Sequence, residues 1–167
     1  MNNELTQIDI DKMQAELDER QFKILPELIE EVKRTRAFGD LSENYEYKAA
    51  KQAQNRCKSR IRYLERMIAS ARLIEDRSAS DEVGLYDRVV LYLPEDDERE
   101  TIQVVTTVRC DPLSGLISKE SPLGKAVLGK KVGDSIFVRV SESYSYEATV
   151  ESIEKGADDG SAPILQY

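Results

Sequence analysis

Apolar and small side chains recur at alternating spacings of three and four residues through the middle of the chain, which predicts a long helix with one packed face. Gln54 is the only clearly polar member of this series, and the spacing is sustained for about three heptads. The series therefore predicts one arm of a coiled coil. Its positions are Tyr47, Ala50, Gln54, Cys57, Ile61, Leu64, Ile68 and Ala71.

The preceding segment carries a less regular series and is predicted to form the partner arm. Only a short turn separates the two arms, so they must run antiparallel as a helical hairpin. At about 1.5 Å per residue, arms of roughly 30 residues hold this turn about 45 Å from the base. Pro26 has no amide donor and clashes with the preceding turn, so the first arm is expected to kink or restart there. The series consists of Ile10, Met13, Leu17, Ile24, Leu28 and Val32.

Beyond residue 84 the pattern changes to short runs rich in β-branched and aromatic residues, which predict strands. The acidic run 94–100 is predicted as a hairpin loop, and Gly133-Asp134 as a turn. A short helix is predicted over 123–128, with Ser121 as its cap and Pro122 at its first position. The predicted strands are 87–93, 101–108, 135–140 and 146–153.

These elements predict an α+β protein built from two parts. An antiparallel helical hairpin occupies residues 1–76, and a small antiparallel sheet domain with a short helix occupies residues 85–154. The polar stretch 77–84 is predicted as the linker between them. The tail, residues 155–167, is polar and rich in glycine and is expected to be flexible.

Charge is distributed unevenly along the chain. Residues 1–77 carry 15 basic and 15 acidic side chains, whereas residues 78–167 carry 9 and 17, so the net charge of −8 lies in the second half. This acidic balance argues against free nucleic acid as the main partner. The second arm is basic, and its stripe is either a solvated outer face or a contact for RNA phosphates. The stripe consists of Lys48, Lys51, Arg56, Lys58, Arg60, Arg62, Arg66 and Arg72.

Several classes of site are excluded by composition. The chain has no histidine, which rules out histidine acid–base catalysis and histidine-ligated metals. Cys57 and Cys110 are expected to be reduced, buried thiols. No apolar run approaches the roughly 20 residues that span a membrane and no signal-like start is present, so a soluble, cytoplasmic protein is expected.

The turn of the hairpin, within residues 38–46, concentrates acidic side chains at an exposed end. One interpretation is structural, since Asp40 and Glu43 have the spacing of a capping box, with Ser42 as an alternative cap. Leu41 argues against a purely structural role. An apolar side chain at so exposed a point is better explained by burial against a partner than by exposure to solvent.

The chemical interpretation of the same turn is a shared metal site. Magnesium prefers hard oxygen ligands, and two carboxylates in open water bind it weakly. Hydrolysis of a phosphodiester by two metal ions needs one ion for the attacking oxygen and one for the leaving oxygen, and an added carboxylate can recruit a weakly held second ion. Such a site requires a larger partner that brings its own carboxylates.

Two segments, GDLSENYEYKAAKQ and ISKESPLGKAVLGKKVGD, resemble the GreA branch of the bacterial Gre transcript cleavage factors. The resemblance covers roughly residues 6–154, with both segments in the order of the family. It implies a coiled coil that enters the secondary channel of bacterial RNA polymerase and an FKBP-like domain that docks at the channel entrance. It further implies a monomer that is not itself an enzyme but stimulates the magnesium-dependent cleavage of backtracked RNA by the polymerase.

The resemblance also implies roles for individual residues. Asp40 matches the aspartate that holds the second magnesium ion, which is shared with the polymerase and not expected in the free protein. Glu43 matches the glutamate, also counted in the metal site, that positions the attacking water. The other matched positions are the tip-supporting residues Leu41, Asn44, Glu46 and Tyr47 and the basic residues Arg36 and Lys51, which are expected to face the 3′ end of the nascent RNA.

The second matched segment has two interpretations. It is either a helix cap with core contacts or, as the family implies, part of the surface that docks on the polymerase at the rim of the channel. The docking positions are Ser118, Ser121, Pro122, Leu123 and Gly124.

The chain departs from the family pattern at several places. Leu25 stands where an arginine is common, and Tyr45 stands beside the tip where a small residue is usual. The run 109–111 replaces a more acidic segment. One alternative function is a channel-binding regulator that inhibits or retunes the polymerase, although retention of Asp40 and Glu43 favours cleavage. Another is an FKBP-like isomerase or chaperone, which needs an aromatic-lined pocket that this sequence does not favour.

Overall fold

The computed structural model describes residues 3–39 and 43–166. Its contacts divide the chain into two compact units, one formed by residues 9–72 and the other by residues 4–8 and 73–166. The first unit is helical and the second is built on a β-sheet, which confirms the predicted α+β class. The predictions made for Asp40, Leu41 and Ser42 lie outside the described residues.

The helices of the first unit form the predicted hairpin, with α2 packed against α3. Where the first arm passes from α1 to α2, Leu25 N–H donates to the carbonyl of Arg20 in a π-helical turn. Pro26 cannot donate to a regular helical ladder, and it lies in the first turn of α2. The irregularity predicted at Pro26 is confirmed. The helices are α1 Gln7–Glu19, the π-helical turn Arg20–Ile24, α2 Leu25–Arg36 and α3 Tyr45–Ala69.

The predicted apolar series forms the core of the hairpin. Tyr47 and Ile68 are half-buried, whereas Ala71 falls in the short strand β2 rather than in α3. Neither cysteine is in a disulfide, but only Cys57 is buried, and Cys110 is half-buried against the expectation. None of the helices in the described part of the chain is both long and apolar enough to cross a bilayer. The buried positions of the series are Met13, Leu17, Ala50, Gln54, Cys57, Ile61 and Leu64.

A buried ionic cluster joins the two arms, and the sequence pattern does not reveal it. Arg60 is 5% exposed and donates twice to the Glu16 carboxylate, at 2.9 Å from Nε and from Nη2. Arg20 Nε donates to the same carboxylate at 2.8 Å. Burial raises the pKa of Glu16, but the hydrogen bonds from Arg60 and Arg20 outweigh it, so the net pKa is lowered. Arg60 therefore belongs to the packed face of α3 and not to an exposed basic stripe.

The second unit contains a five-stranded sheet with the strand order β5-β4-β3-β7-β6. All neighbours are antiparallel except β4 and β5, which pair in parallel from Gln103 opposite Leu116. The loop after β3 is shorter than predicted, because β4 already begins at Glu98, opposite Leu93. The strands are β3 Arg88–Leu93, β4 Glu98–Val105, β5 Leu116–Ser118, β6 Ser135–Arg139 and β7 Ser145–Glu154; a separate pair consists of β1 Asn3–Leu5 and β2 Ala71–Leu73.

The strand predicted at 101–108 ends early, since Thr107–Arg109 forms a 3-10 turn. The short helix α4 spans Pro122–Val127 and packs against β6. The core of this unit is made of inward-facing apolar residues, and it includes Val83, which lies inside the predicted linker 77–84. That linker is therefore partly folded into the second unit.

The tail is packed onto the second unit, and the prediction that 155–167 is flexible is corrected for residues 155–166. Lys155 Nζ donates to the buried Asp87 carboxylate at 2.6 Å. Leu165 N–H donates to the carbonyl of Val108 at 2.8 Å, and Ile164 is 7% exposed. Since these anchors occur at both ends of the segment, the tail runs along the domain as a strap.

The strap is held in the middle by Arg109, which is 1% exposed. Its guanidinium donates to the carbonyl of Ala162 at 2.5 Å and pairs with the Asp158 carboxylate. The same group lies 5.5 Å from the centroid of the Tyr86 ring. A buried guanidinium needs such partners, because an unpaired buried charge is strongly unfavourable.

Candidate functional site

The end of the hairpin is closed by hydrogen bonds that converge on one carbonyl group. Thr35, the last buried residue of α2, accepts at its carbonyl oxygen from Phe38 N–H at 3.2 Å and from Asn44 Nδ2 at 2.7 Å. The Thr35 hydroxyl in turn donates to the carbonyl of Glu31 at 2.8 Å. The two arms are thus tied together directly below the acidic turn, which fixes where Glu43 is presented.

Asn44 also begins helix α3. Its Oδ1 accepts from Tyr47 N–H at 2.9 Å, which satisfies one of the amides left free at a helix start. The helix cap of α3 is therefore Asn44. An asparagine supplies both the acceptor for the cap and the donor for Thr35, which an ionised aspartate cannot do.

We expect Asn44→Ala to lower the free energy of unfolding by about 2 kcal/mol, since it removes a cap and leaves a buried carbonyl with one donor fewer. Asn44→Asp keeps the cap acceptor but cannot donate to Thr35, so it should lose about half as much. Urea unfolding followed by circular dichroism measures both. Equal stability of the alanine variant and the wild type would contradict the role assigned to Asn44.

The remaining described tip residues are accessible from solvent. Glu43 and Glu46 are exposed, whereas Tyr47 is half-buried on the packed face of α3. Tyr45 is 80% exposed and Phe38 is 57% exposed. The structure thus brings two acidic side chains and two open aromatic rings to one end of the hairpin.

The predicted basic positions lie on the arms just below the tip. Arg36 is exposed at the last position of α2. Lys51 is exposed on α3, where its Nζ donates to Gln54 Oε1 at 3.2 Å. Both side chains remain accessible to an anionic ligand.

The second predicted site, residues 118–124, runs from the end of β5 through a short loop into the first turn of α4, and this segment is called the loop 118–124 below. Ser121 caps α4, with its Oγ accepting from Gly124 N–H at 3.0 Å, and it donates to the carbonyl of Ser118 at 2.7 Å. Ser118 is 8% exposed, and its Oγ lies 2.9 Å from Thr107 Oγ1. The cap predicted at Ser121 and the first position predicted for Pro122 are confirmed.

Only part of this loop faces solvent. Pro122 is exposed, whereas Leu123 is half-buried and packs against the core of the domain. Gly124 is buried, and a Cβ at this position would lie 2.1 Å from the Ser118 carbonyl oxygen. Ser118, Ser121 and Gly124 therefore shape the loop, and Pro122 is the member that a partner can contact directly.

The donor set at the tip suits a metal site only when another molecule completes it. Within residues 3–39 and 43–166 there is no group of three or more histidine, cysteine, aspartate or glutamate side chains that could hold a metal ion. Glu43 offers one exposed carboxylate, which is fewer hard ligands than a magnesium site requires.

Family comparisons cover both units. Residues 3–73 match the family described as "Transcription elongation factor, N-terminal". Residues 78–155 match the family described as "Transcription elongation factor, GreA/GreB, C-term". The two matches include the tip, the loop 118–124 and Lys155, while the strap beyond Lys155 falls outside them.

Individual relatives are similar along most of their length. A transcription elongation factor GreA of Mesoplasma florum is 41% identical over 145 residues, which is 86% of this chain and 93% of the relative. A GreA of Thermotoga petrophila is 41% identical over 135 residues, covering 81% and 86% of the two chains. A solved structure of the transcription factor Gfh1 has a TM-score of 0.45 at 28% identity, covering 92% of this chain and 97% of that one.

Proposed function

This chain belongs to the GreA/GreB family of transcription elongation factors, and we propose that it inserts its hairpin into the secondary channel of RNA polymerase to stimulate cleavage of backtracked RNA. The observation that supports the proposal is Glu43, which is exposed at the end of a hairpin whose arms are tied by the bond from Asn44 to Thr35. The polymerase supplies the nuclease activity, and this protein supplies side chains to its active site.

The tip residues have separate tasks in this proposal. Asp40 and Glu43 join the carboxylates of the polymerase in holding a magnesium ion, which would stabilise negative charge on the reacting oxygens. Glu43 accepts a hydrogen bond from the attacking water and orients it toward the phosphorus. Asn44 donates a hydrogen bond to the carbonyl of Thr35, and in this proposal that bond fixes the position of the Glu43 carboxylate at the end of the hairpin.

The basic positions below the tip complement the acidic end. Arg36 and Lys51 are exposed on different arms and would contact phosphates of the RNA 3′ segment. Their charge offsets the repulsion between the acidic tip and the RNA. Contacts of this kind are independent of base sequence, as expected for a factor that acts on any stalled transcript.

The loop 118–124 is proposed as the contact with the rim of the channel. Pro122 is exposed for direct contact, and the Ser121 cap and the buried Gly124 hold the loop in one conformation. A rigid loop loses little conformational entropy when it binds, which favours docking.

Neither alternative is favoured. The relatives that match over most of their length are named elongation factors, and the sequence keeps both Asp40 and Glu43. The isomerase alternative gains no support from Phe137, because that ring is 69% exposed.

The test is a cleavage assay with a purified, backtracked complex of bacterial RNA polymerase whose RNA is labelled at the 3′ end. Magnesium is present and nucleotides are omitted, so only hydrolysis is observed. Addition of the protein should release short labelled fragments at least tenfold faster than the polymerase alone. Binding to the polymerase without faster release would contradict the proposal and support an occluding regulator.

A further inference from the structure

An aromatic ring beside the acidic turn is largely open to solvent. Tyr45 occupies the first position of α3, directly after the cap Asn44, and 80% of its side chain is exposed. A ring this open contributes little to the packing of the hairpin. Its placement therefore calls for a contact outside this chain.

The ring is accompanied by a cation, and the other arm repeats the arrangement. Lys48 Nζ lies 5.5 Å from the centroid of the Tyr45 ring. On the first arm, Arg34 lies 5.3 Å from the centroid of the exposed Phe38 ring. Because Phe38 and Asn44 both bond to the carbonyl of Thr35, the two aromatic–cation pairs flank the same acidic turn.

Aromatic rings with neighbouring cations are the means by which proteins hold single-stranded nucleic acid. Bases stack on the ring and phosphates pair with the cation, and the interaction tolerates any base because each has a π-face. The carboxylates of the tip repel the phosphates of the RNA. Stacking does not depend on charge, so it can hold the RNA close to the tip despite this repulsion.

We propose that Tyr45 is a substrate-binding residue that stacks on an unpaired base of the extruded RNA, with Lys48 beside the adjoining phosphate; this rests on the proposed function. Tyr45 suits the task better than Phe38 because it is more exposed and follows Glu43 by only two residues.

The test measures first-order cleavage at saturating protein, using backtracked complexes whose extruded nucleotides are either normal or abasic. On normal RNA we expect Tyr45→Ala to cleave about five- to tenfold more slowly than wild type and Tyr45→Phe to cleave at nearly the wild-type rate. On abasic RNA the wild type should slow to the rate of Tyr45→Ala. A ring that only altered the fit of the tip would not produce this dependence on the base.

Phe22→Ala is the matched control, because Phe22 is an aromatic residue that is 78% exposed on the arm and remote from the tip in sequence. Phe22→Ala should stimulate cleavage at the same rate as the wild type. All variants should keep the wild-type melting temperature. Equal rates for Tyr45→Ala and wild type on normal RNA, or a defect that persists on abasic RNA, would overturn the stacking role while leaving the proposed function intact. Failure of the wild type to stimulate cleavage at all would overturn both.

Discussion

Replacing Asp40 with asparagine is expected to reduce stimulated cleavage at least a hundredfold while leaving affinity for RNA polymerase within twofold of wild type. An amide is a far weaker ligand for magnesium than a carboxylate. The substitution therefore removes the negative charge of the proposed ligand, while the size and shape of the side chain stay nearly the same. The measurement pairs the 3′-label cleavage assay with a competition binding assay.

Asp18→Asn is the control for the loss of one negative charge. Asp18 is exposed on α1, and as asparagine it still accepts the hydrogen bond from Gln14. This variant should stimulate cleavage like the wild type. Full activity of Asp40→Asn, or equal losses in both variants, would show that the tip aspartate is not a ligand.

Replacing Arg109 with alanine is expected to lower the free energy of unfolding by about 3–5 kcal/mol, which is the usual cost of leaving a buried charge without its partner. Asp158 would lose its cationic partner and the carbonyl of Ala162 would lose its donor, which would loosen the middle of the strap. Denaturant unfolding measures the loss of stability. Hydrogen exchange at the Leu165 amide measures whether the end of the strap stays attached, because that amide donates to the carbonyl of Val108.

Arg99→Ala is the matched control in the same domain. Arg99 also pairs with a carboxylate, Glu151, at 2.8 Å and lies 5.1 Å from the centroid of a tyrosine ring, Tyr92, but it is 58% exposed. Exposed pairs contribute at most about 1 kcal/mol. If Arg109→Ala cost no more than Arg99→Ala, the strap would not depend on its buried anchor.

The parts of the fold set by local pattern were predictable from the sequence. The heptad spacing located the packed face of α3, because burial of a helix face imposes that period directly. Ser121 followed by Pro122 located the start of α4, since a helix start needs an acceptor and tolerates a proline.

The parts set by contacts between distant residues were not predictable. Arg109 and Asp158 are 49 residues apart, and nothing in either neighbourhood indicates that they meet. The strap was therefore read from its polar composition as flexible, although one buried arginine organises it. Arg60 was likewise counted with an exposed stripe, because its partner Glu16 lies 44 residues away on another helix.

The hydrogen bonds that close the tip were not predictable from the sequence. The acidic motif is visible in the sequence, whereas the bond from Asn44 to Thr35 depends on how the two arms meet. Spacing alone favours Asp40 as the cap, with Ser42 as the alternative, whereas in the structure Asn44 Oδ1 accepts from Tyr47 N–H at the start of α3.

The most direct measurement is the magnesium concentration that gives half-maximal cleavage by a backtracked polymerase complex, determined with and without this protein. If the tip carboxylates complete a metal site, the protein should lower that concentration several-fold, and Asp40→Asn should restore the value of the polymerase alone. The same half-maximal concentration in the presence and absence of the wild-type protein would contradict a shared metal site.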